Sequence, residues 1–210
     1  MRKHTIPTGP FAANCTVLWK DGSGECWIVD PGEDAAEIAA FMKEHSLRPA
    51  LIALTHGHFD HINGVPGLLE RYPGLPVHIG PGDVPYVGNR MNAWPPDYEP
   101  IDRPATLVGD LSEGATLSAA GLSAKVLSTP GHTPGSVCLL FEDEDGSLLV
   151  SGDTLFAGSC GRTDFPGGSM EQMKASLARL AKLKPATEVL PGHGSATTIS
   201  REVATNPYMA

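Results

Sequence analysis

Apolar residues fall along this chain in short blocks whose period alternates between that of a strand and that of a helix. Residues 14–20 (NCTVLWK) and 25–30 (ECWIVD) flank Asp21-Gly22-Ser23-Gly24, which predicts a β-hairpin with a glycine-bearing turn. Residues 35–45 carry Ile38, Phe41 and Met42 at helical spacing. Pro49 resets the chain, and the apolar run LIALT at 51–55 then fits a buried strand. A helix is expected over 64–72 and a short strand over 77–80. Residues 122–128, 137–141 and 148–151 read as three more strands, with an acidic turn at 142–146. Residues 169–183 read as a helix: Ser169 and Gln172 have capping-box spacing, and Met173, Leu177 and Leu180 share one face. A last strand is expected at 188–190 and a short helix at 200–205. Residues 81–104, with Trp94-Pro95-Pro96, show little periodicity and predict a long loop placed to wall a pocket. Strand-rich segments alternate with helices in both halves. That pattern predicts an α/β protein, a sandwich of two mixed sheets with helices on the outer faces. At 210 residues we expect one domain, 1–210.

Composition narrows the class. Hydrophobic residues make up 41% and charged residues 19%, values of a soluble globular chain. The net charge of −9 argues against a nucleic-acid partner, which favours a basic face. The 24 Gly and 19 Pro are spread between patterned segments, so they predict tight turns and loops rather than disorder. The N-terminus lacks an apolar stretch of signal-peptide type, and no run approaches membrane-spanning length. Cys15, Cys26, Cys138 and Cys160 show no CxxC spacing. Free thiols in a reducing cytoplasm are the expectation, with a monomer or small homo-oligomer and no membrane partner.

The candidate chemistry gathers just past the LIALT run, in Thr55-His-Gly-His-Phe-Asp-His61. Side chains at i and i+2 of an extended segment point the same way, so His56 and His58 can share one metal. Asp60 and His61 lie a step further on and can face a second. Three more polar residues follow predicted strands in Gly-flanked loops: His132 in Pro130-Gly-His132, Asp153 in Gly152-Asp153-Thr154 and His193 in Gly192-His193-Gly194. A Gly neighbour permits close backbone approach there. Together these are seven ligands, drawing on five of the eight His. Seven suit two metals: His56, His58 and His132 on one, Asp60, His61 and His193 on the other, and Asp153 bridging. The donors are nitrogen and oxygen without thiolate, which suits zinc first and also iron or manganese.

These motifs, with Asp30-Pro31-Gly32, resemble the metallo-β-lactamase superfamily nearly end to end. The resemblance implies a four-layer αββα sandwich. Asp153 stands where true β-lactamases commonly place Cys or Ser, and His58 where flavodiiron oxygen reductases have Glu. The chain is most similar to single-domain type II glyoxalases, the hydroxyacylglutathione hydrolases, through Gly158-Ser-Cys-Gly-Arg-Thr-Asp164 and Asn206-Pro207. Cys160 to Asp164 also resembles persulfide dioxygenases, which hold one iron. Those end in an Ala-His-Asp-Tyr-like segment where this chain has Pro-Gly-His-Gly. Longer glyoxalases carry a C-terminal helical domain that grips glutathione, which we expect to be missing here, and Gly194-Ser195 stands where they bring in a Tyr. The implied activity is hydrolysis of a small-molecule thioester, such as S-lactoylglutathione, by a metal-bridging hydroxide that Asp60 orients. The alternatives are a mono-iron sulfur dioxygenase, or a lactonase or other ester hydrolase on the same dinuclear site. Arg162 matches a glutathione-contacting Lys of the longer enzymes, so it is the expected anchor for an anionic substrate.

Overall fold

Successive side chains of the strands go to opposite faces, and here both faces are apolar. Trp27 and Val29 face one way, Cys26 and Ile28 the other; Leu51 and Ala53 are likewise opposed to Ile52 and Leu54. A strand buried on both sides needs a layer above and below it, and that requirement builds the fold. The computed structural model describes residues 1–89, 99–144 and 146–209.

The first sheet contains β1 (Arg2–Thr8), β2 (Ala13–Trp19), β3 (Glu25–Val29), β4 (Arg48–Leu54), β5 (Val77–Ile79) and β6 (Leu107–Val108), in that spatial order. The β1–β2–β3 pairings are antiparallel and β3 to β6 run parallel. The second sheet contains β7 (Thr116–Ala119), β8 (Leu122–Ser128), β9 (Val137–Asp143) and β10 (Gly146–Gly152). A small separate hairpin of β11 (Leu155–Phe156) and β12 (Ser159–Cys160) follows. β13 (Glu188–Pro191) and β14 (Thr197–Thr198) then complete the second sheet, whose order is β14-β13-β10-β9-β8-β7. Only its β10–β13 pair is parallel.

Three apolar clusters define the layers. The middle one joins Trp27, Val29, Leu51 and Ala53 of the first sheet to Val126, Leu139, Phe141 and Val150 of the second. The outer face of the first sheet packs on α1 (Ala35–Glu44) and α3 (Val65–Arg71) through Ile38, Met42 and Leu68. The outer face of the second packs on α4 (Met170–Leu180) and α5 (Ile199–Thr205) through Met173, Leu177 and Ile199. The architecture is the αββα sandwich. The Ser169 hydroxyl caps α4 by accepting from the Gln172 backbone N–H.

Several boundaries differ from expectation. β1 was not foreseen, because only Ile6 and Thr8 of its side chains are buried and Pro7 interrupts it; as an edge strand it tolerates both. Pro49 lies inside β4 instead of ahead of it, at the place where the β3–β4 register shifts. Asp60 and His61 sit on a short helical turn, α2 (Phe59–Ile62), ahead of the helix expected from residue 64. The expected wall at Trp94-Pro95-Pro96 lies outside the described residues, as does Asp145 of the expected acidic turn. Cys15, Cys26 and Cys138 are buried and Cys160 half-buried, all four as free thiols. Among the described residues no helix is long and apolar enough to cross a membrane.

Candidate metal centre

All seven residues named from the sequence lie together at one end of the two sheets. His56 and His58 leave the end of β4, and Asp60 and His61 follow on α2. His132 comes from the loop after β8, Asp153 from the end of β10 and His193 from the end of β13. Thus the first sheet supplies four side chains and the second supplies three. Gly192 fits against the Asp153 carboxylate and the His61 ring, where a Cβ would collide with both. Gly152, at φ +48°, turns the chain beside Thr55, which a side chain there would strike.

The donors fall into two groups. His56, His58 and His132 present nitrogens within 4.8 Å of one another; so do the donor atoms of Asp60, His61 and His193. Asp153 lies between them. Its Oδ2 is 3.5 Å from His132 Nε2 and 3.6 Å from His193 Nε2, and its Oδ1 is 3.4 Å from His61 Nε2. Asp60 Oδ2 is 3.3 Å from His193 Nε2.

The outward nitrogens of four rings are held by oxygen. His132 Nδ1 donates to the Arg162 carbonyl at 2.7 Å and His193 Nδ1 to the Phe11 carbonyl at 3.1 Å. His61 Nδ1 donates to Asp30 Oδ2 at 3.0 Å. Thr55 Oγ1 gives its proton to Asp30 Oδ2 at 2.6 Å, so it accepts from His56 Nδ1 at 3.1 Å. Each of these rings therefore turns its Nε2 into the cluster, the nitrogen that would face a metal. Asp30 fixes two of them at once. It also accepts from the Thr55 backbone N–H at 2.7 Å, and it holds the left-handed φ of 51° that aims it there. His58 uses its Nδ1, 2.8 Å from His132 Nε2.

A second buried carboxylate ties the three-His group together. Asp83 accepts from the Gly57 N–H at 2.8 Å, from the Thr133 hydroxyl at 2.6 Å and from the Gly135 N–H at 2.6 Å. It thereby joins the His56–His58 loop to the His132 loop. Burial raises its pKa, against those three hydrogen bonds. Neither Asp30 nor Asp83 was expected from the sequence as a site residue. Asp30 had a local signal, an Asp before Pro-Gly at a strand end; Asp83 has none that does not need the fold.

The residues fit metal ions. His56 Nε2 and Asp153 Oδ1 are buried without a hydrogen-bond partner, which costs a protein about 1–3 kcal/mol each unless something else engages them. Burial pushes His56 well below its usual pKa and His58 down to about 3, so both are neutral donors at pH 7. At His61 burial acts in the same direction, but the Asp153, Asp60 and Asp30 carboxylates outweigh it and push the ring up to about 10. Three carboxylates around one site make a negative well, and the same potential attracts a divalent cation.

A cavity of about 300 Å³ opens over the cluster. Asp60, His132, Asp153 and His193 form its floor, and Phe11, Phe59, Phe156, Cys160, Arg162 and Phe165 form its sides. Arg162 lines the cavity with its guanidinium already occupied. Nε and Nη2 donate to the two oxygens of Asp164 at 2.9 and 2.8 Å, and the group lies 4.2 Å over the Phe165 ring.

The chain belongs to the metallo-β-lactamase superfamily, whose family model matches residues 8–193. It is 35% identical to a probable metallo-hydrolase, YqgX, of Bacillus subtilis, over 100% of this chain and 98% of that protein. It is 32% identical to the hydroxyacylglutathione hydrolase GloC of Haemophilus influenzae, again over 100% of this chain and 98% of the relative. Among solved structures, BLEG-1, a B3 metallo-β-lactamase, superposes with a TM-score of 0.88 at 32% identity, covering 99% of each chain. TTHA1623 in a di-iron-bound form gives 0.85 at 37% identity, covering 98% of this chain and 99% of that one.

Proposed function

We propose that the chain is a metal-dependent hydrolase of thioesters, with S-2-hydroxyacylglutathiones such as S-lactoylglutathione the first substrates to try. The observation that carries the reading is Asp153, placed within 3.6 Å of nitrogens from both donor groups. Two three-residue groups sharing one carboxylate are what a pair of ions requires. His56, His58 and His132 would hold one ion, Asp60, His61 and His193 the other, with Asp153 reaching both. When bound, such ions supply Lewis acidity and lower the pKa of water from 15.7 toward about 7. Zinc is the expected metal, and iron or manganese suits the same donors.

The rest of the chemistry falls to the chain's own groups. Asp60 lines the cavity floor, where one carboxylate oxygen accepts a hydrogen bond from the attacking water and orients it on the carbonyl carbon. The walls of the cavity limit bulk water around the ester. No protein nucleophile is required. Cys160 is half-buried, and burial raises its pKa above the usual thiol value, which keeps it protonated at neutral pH. The leaving thiolate has a pKa near 8.5 and needs little proton donation. The similarity to a hydroxyacylglutathione hydrolase supports a thioester over a lactone or phosphodiester.

The test combines elemental analysis of protein purified without added metal with cleavage of lactoylglutathione. Asp153→Ala should lose at least one ion per chain and nearly all hydrolysis. Two ions and normal turnover in that variant would overturn the reading. A single iron in the parent protein, with oxygen uptake, would replace it with the dioxygenase.

A further inference from the structure

Two of the six Phe, Phe41 and Phe141, pack against the apolar clusters of the fold. The other four, Phe11, Phe59, Phe156 and Phe165, belong to none of those clusters and all line the cavity over the metal centre. They are half-buried or exposed, Phe11 at 43%. Phe156 stands edge-on to His193 and Phe165 edge-on to His58, with centroids 6.1 and 5.6 Å apart. Phe11 and Phe59 meet edge to face at 5.4 Å. Aromatic rings left partly in water around one concave site mark a surface kept for an apolar ligand.

Charge leads to the same conclusion. Among the described residues lining the cavity, Arg162 carries the one guanidinium or ammonium group. Its fork is filled by Asp164, and that pair is exposed, at 62% and 68%. An anionic substrate arm would have to displace a carboxylate already in place. The cavity, about 300 Å³, lies at the small end of ligand sites, with room for an acyl group and little for a charged tripeptide.

From this we infer that the substrate is recognised through an apolar acyl chain held between the four Phe rings, and that the thiol it is esterified to contributes little. The inference rests on the hydrolase reading for its chemistry, but not on glutathione as the thiol.

Two series test it on the metal-loaded protein. The first is acetyl, butyryl and hexanoyl thioesters of N-acetylcysteamine, a small neutral thiol, beside the same acyl groups on glutathione. The second is the matching methyl ketones, which cannot be hydrolysed, titrated by calorimetry. We expect kcat/KM to rise about fourfold per methylene from acetyl to hexanoyl, the equivalent of ~0.8 kcal/mol per buried CH₂. Ketone Kd should fall in parallel, and glutathione esters should gain less than tenfold over their neutral counterparts. Phe165→Ala and Phe156→Leu should cut the hexanoyl rate at least tenfold more than the acetyl rate, with metal content unchanged. A flat or falling dependence on chain length, in both series, overturns the inference while thioester cleavage leaves the hydrolase standing. Ketones that bind with the expected slope, beside esters that are never cleaved, overturn the hydrolase and keep the apolar site. Because the wild-type series decides the matter, a variant that fails to fold does not.

Discussion

Replacing Asp83 by Asn changes one oxygen for an NH₂ and nothing else in size. Its consequence follows from the three donors around it. In one orientation of the amide, the NH₂ faces the Gly57 N–H and the Thr133 hydroxyl, which sit 2.8 and 2.6 Å from Oδ2. In the other it faces the Gly135 N–H, 2.6 Å from Oδ1. The Thr133 hydroxyl can turn and accept from the NH₂, so each orientation spoils one bond, that of a backbone N–H. Either way, a buried backbone N–H loses a charged acceptor and meets a donor. A hydrogen bond to a charged group is worth roughly 1.5–3 kcal/mol, and an unsatisfied buried donor costs a similar amount, so the variant should lose about 3 kcal/mol. Relief of the buried charge, which lifts the Asp83 pKa, offsets part of this. The damage is local to the link between the His56–His58 and His132 loops. Urea unfolding should therefore show the loss, and elemental analysis should show a fall of up to one ion per chain relative to the parent. A variant within 0.5 kcal/mol of the parent by urea unfolding, carrying both ions, would refute the assignment of Asp83 as the tie between the loops.

Arg162→Ala removes a guanidinium whose charge Asp164 already balances in water, so KM for glutathione thioesters should change less than about threefold, within what an exposed pair contributes; a tenfold rise measured by steady-state kinetics would restore it as the anion anchor. Glu202→Gln should destabilise the protein most near neutral pH. Burial of the Glu202 carboxyl favours its neutral form, but hydrogen bonds from Thr197, the Gly158 N–H and Asn206 outweigh this and hold its pKa below the usual 4.5. The stability it contributes is complete above 4.5 and is lost as pH falls through the lower folded value, so the gap between parent and variant in thermal unfolding should close in acid. A gap that widens as pH falls would show the sign to be wrong.

What could be read in the sequence had a local cause. The ligand cluster was legible because His56, His58, Asp60 and His61 fall within six positions of each other. His132, Asp153 and His193 were legible by recurrence, each beside a Gly just past an apolar run. The outer helices announced themselves through Ile38 and Met42, and through Met173 and Leu177, at helical spacing. The strands β6, β11, β12 and β14 are two residues long, too short to show a period, and exist because neighbours offer them partners. β1 was hidden by exposed residues on both of its faces, Arg2 and Lys3 among them, which an edge strand allows. Asp83 and the four Phe of the cavity acquire their roles only from residues far away in the chain. For Asp83 these are Thr133 and Gly135, 50 and 52 positions on. Arg162 was expected as an anion anchor because it matches a glutathione-contacting Lys and follows a Gly-rich stretch, and Asp164, which occupies its fork, stands two residues away in the sequence.

The division of the metal centre between the two sheets bears on how the molecule is assembled. His61 and His193, whose Nε2 atoms are 3.3 Å apart, are separated by 132 residues of chain. Neither sheet alone presents all seven donors, so a nascent chain emerging from the ribosome can bind no ion pair until both sheets have formed and docked. Uptake of the pair of ions is thus expected late, once the fold is finished. Ions that engage only the finished fold also weight the equilibrium toward it, by RT ln(1 + [M]/Kd) for each site. Withholding metal from cells should then lower the steady-state amount of this protein as well as its activity, because the unloaded form opens between the sheets more often and is cleared by proteases.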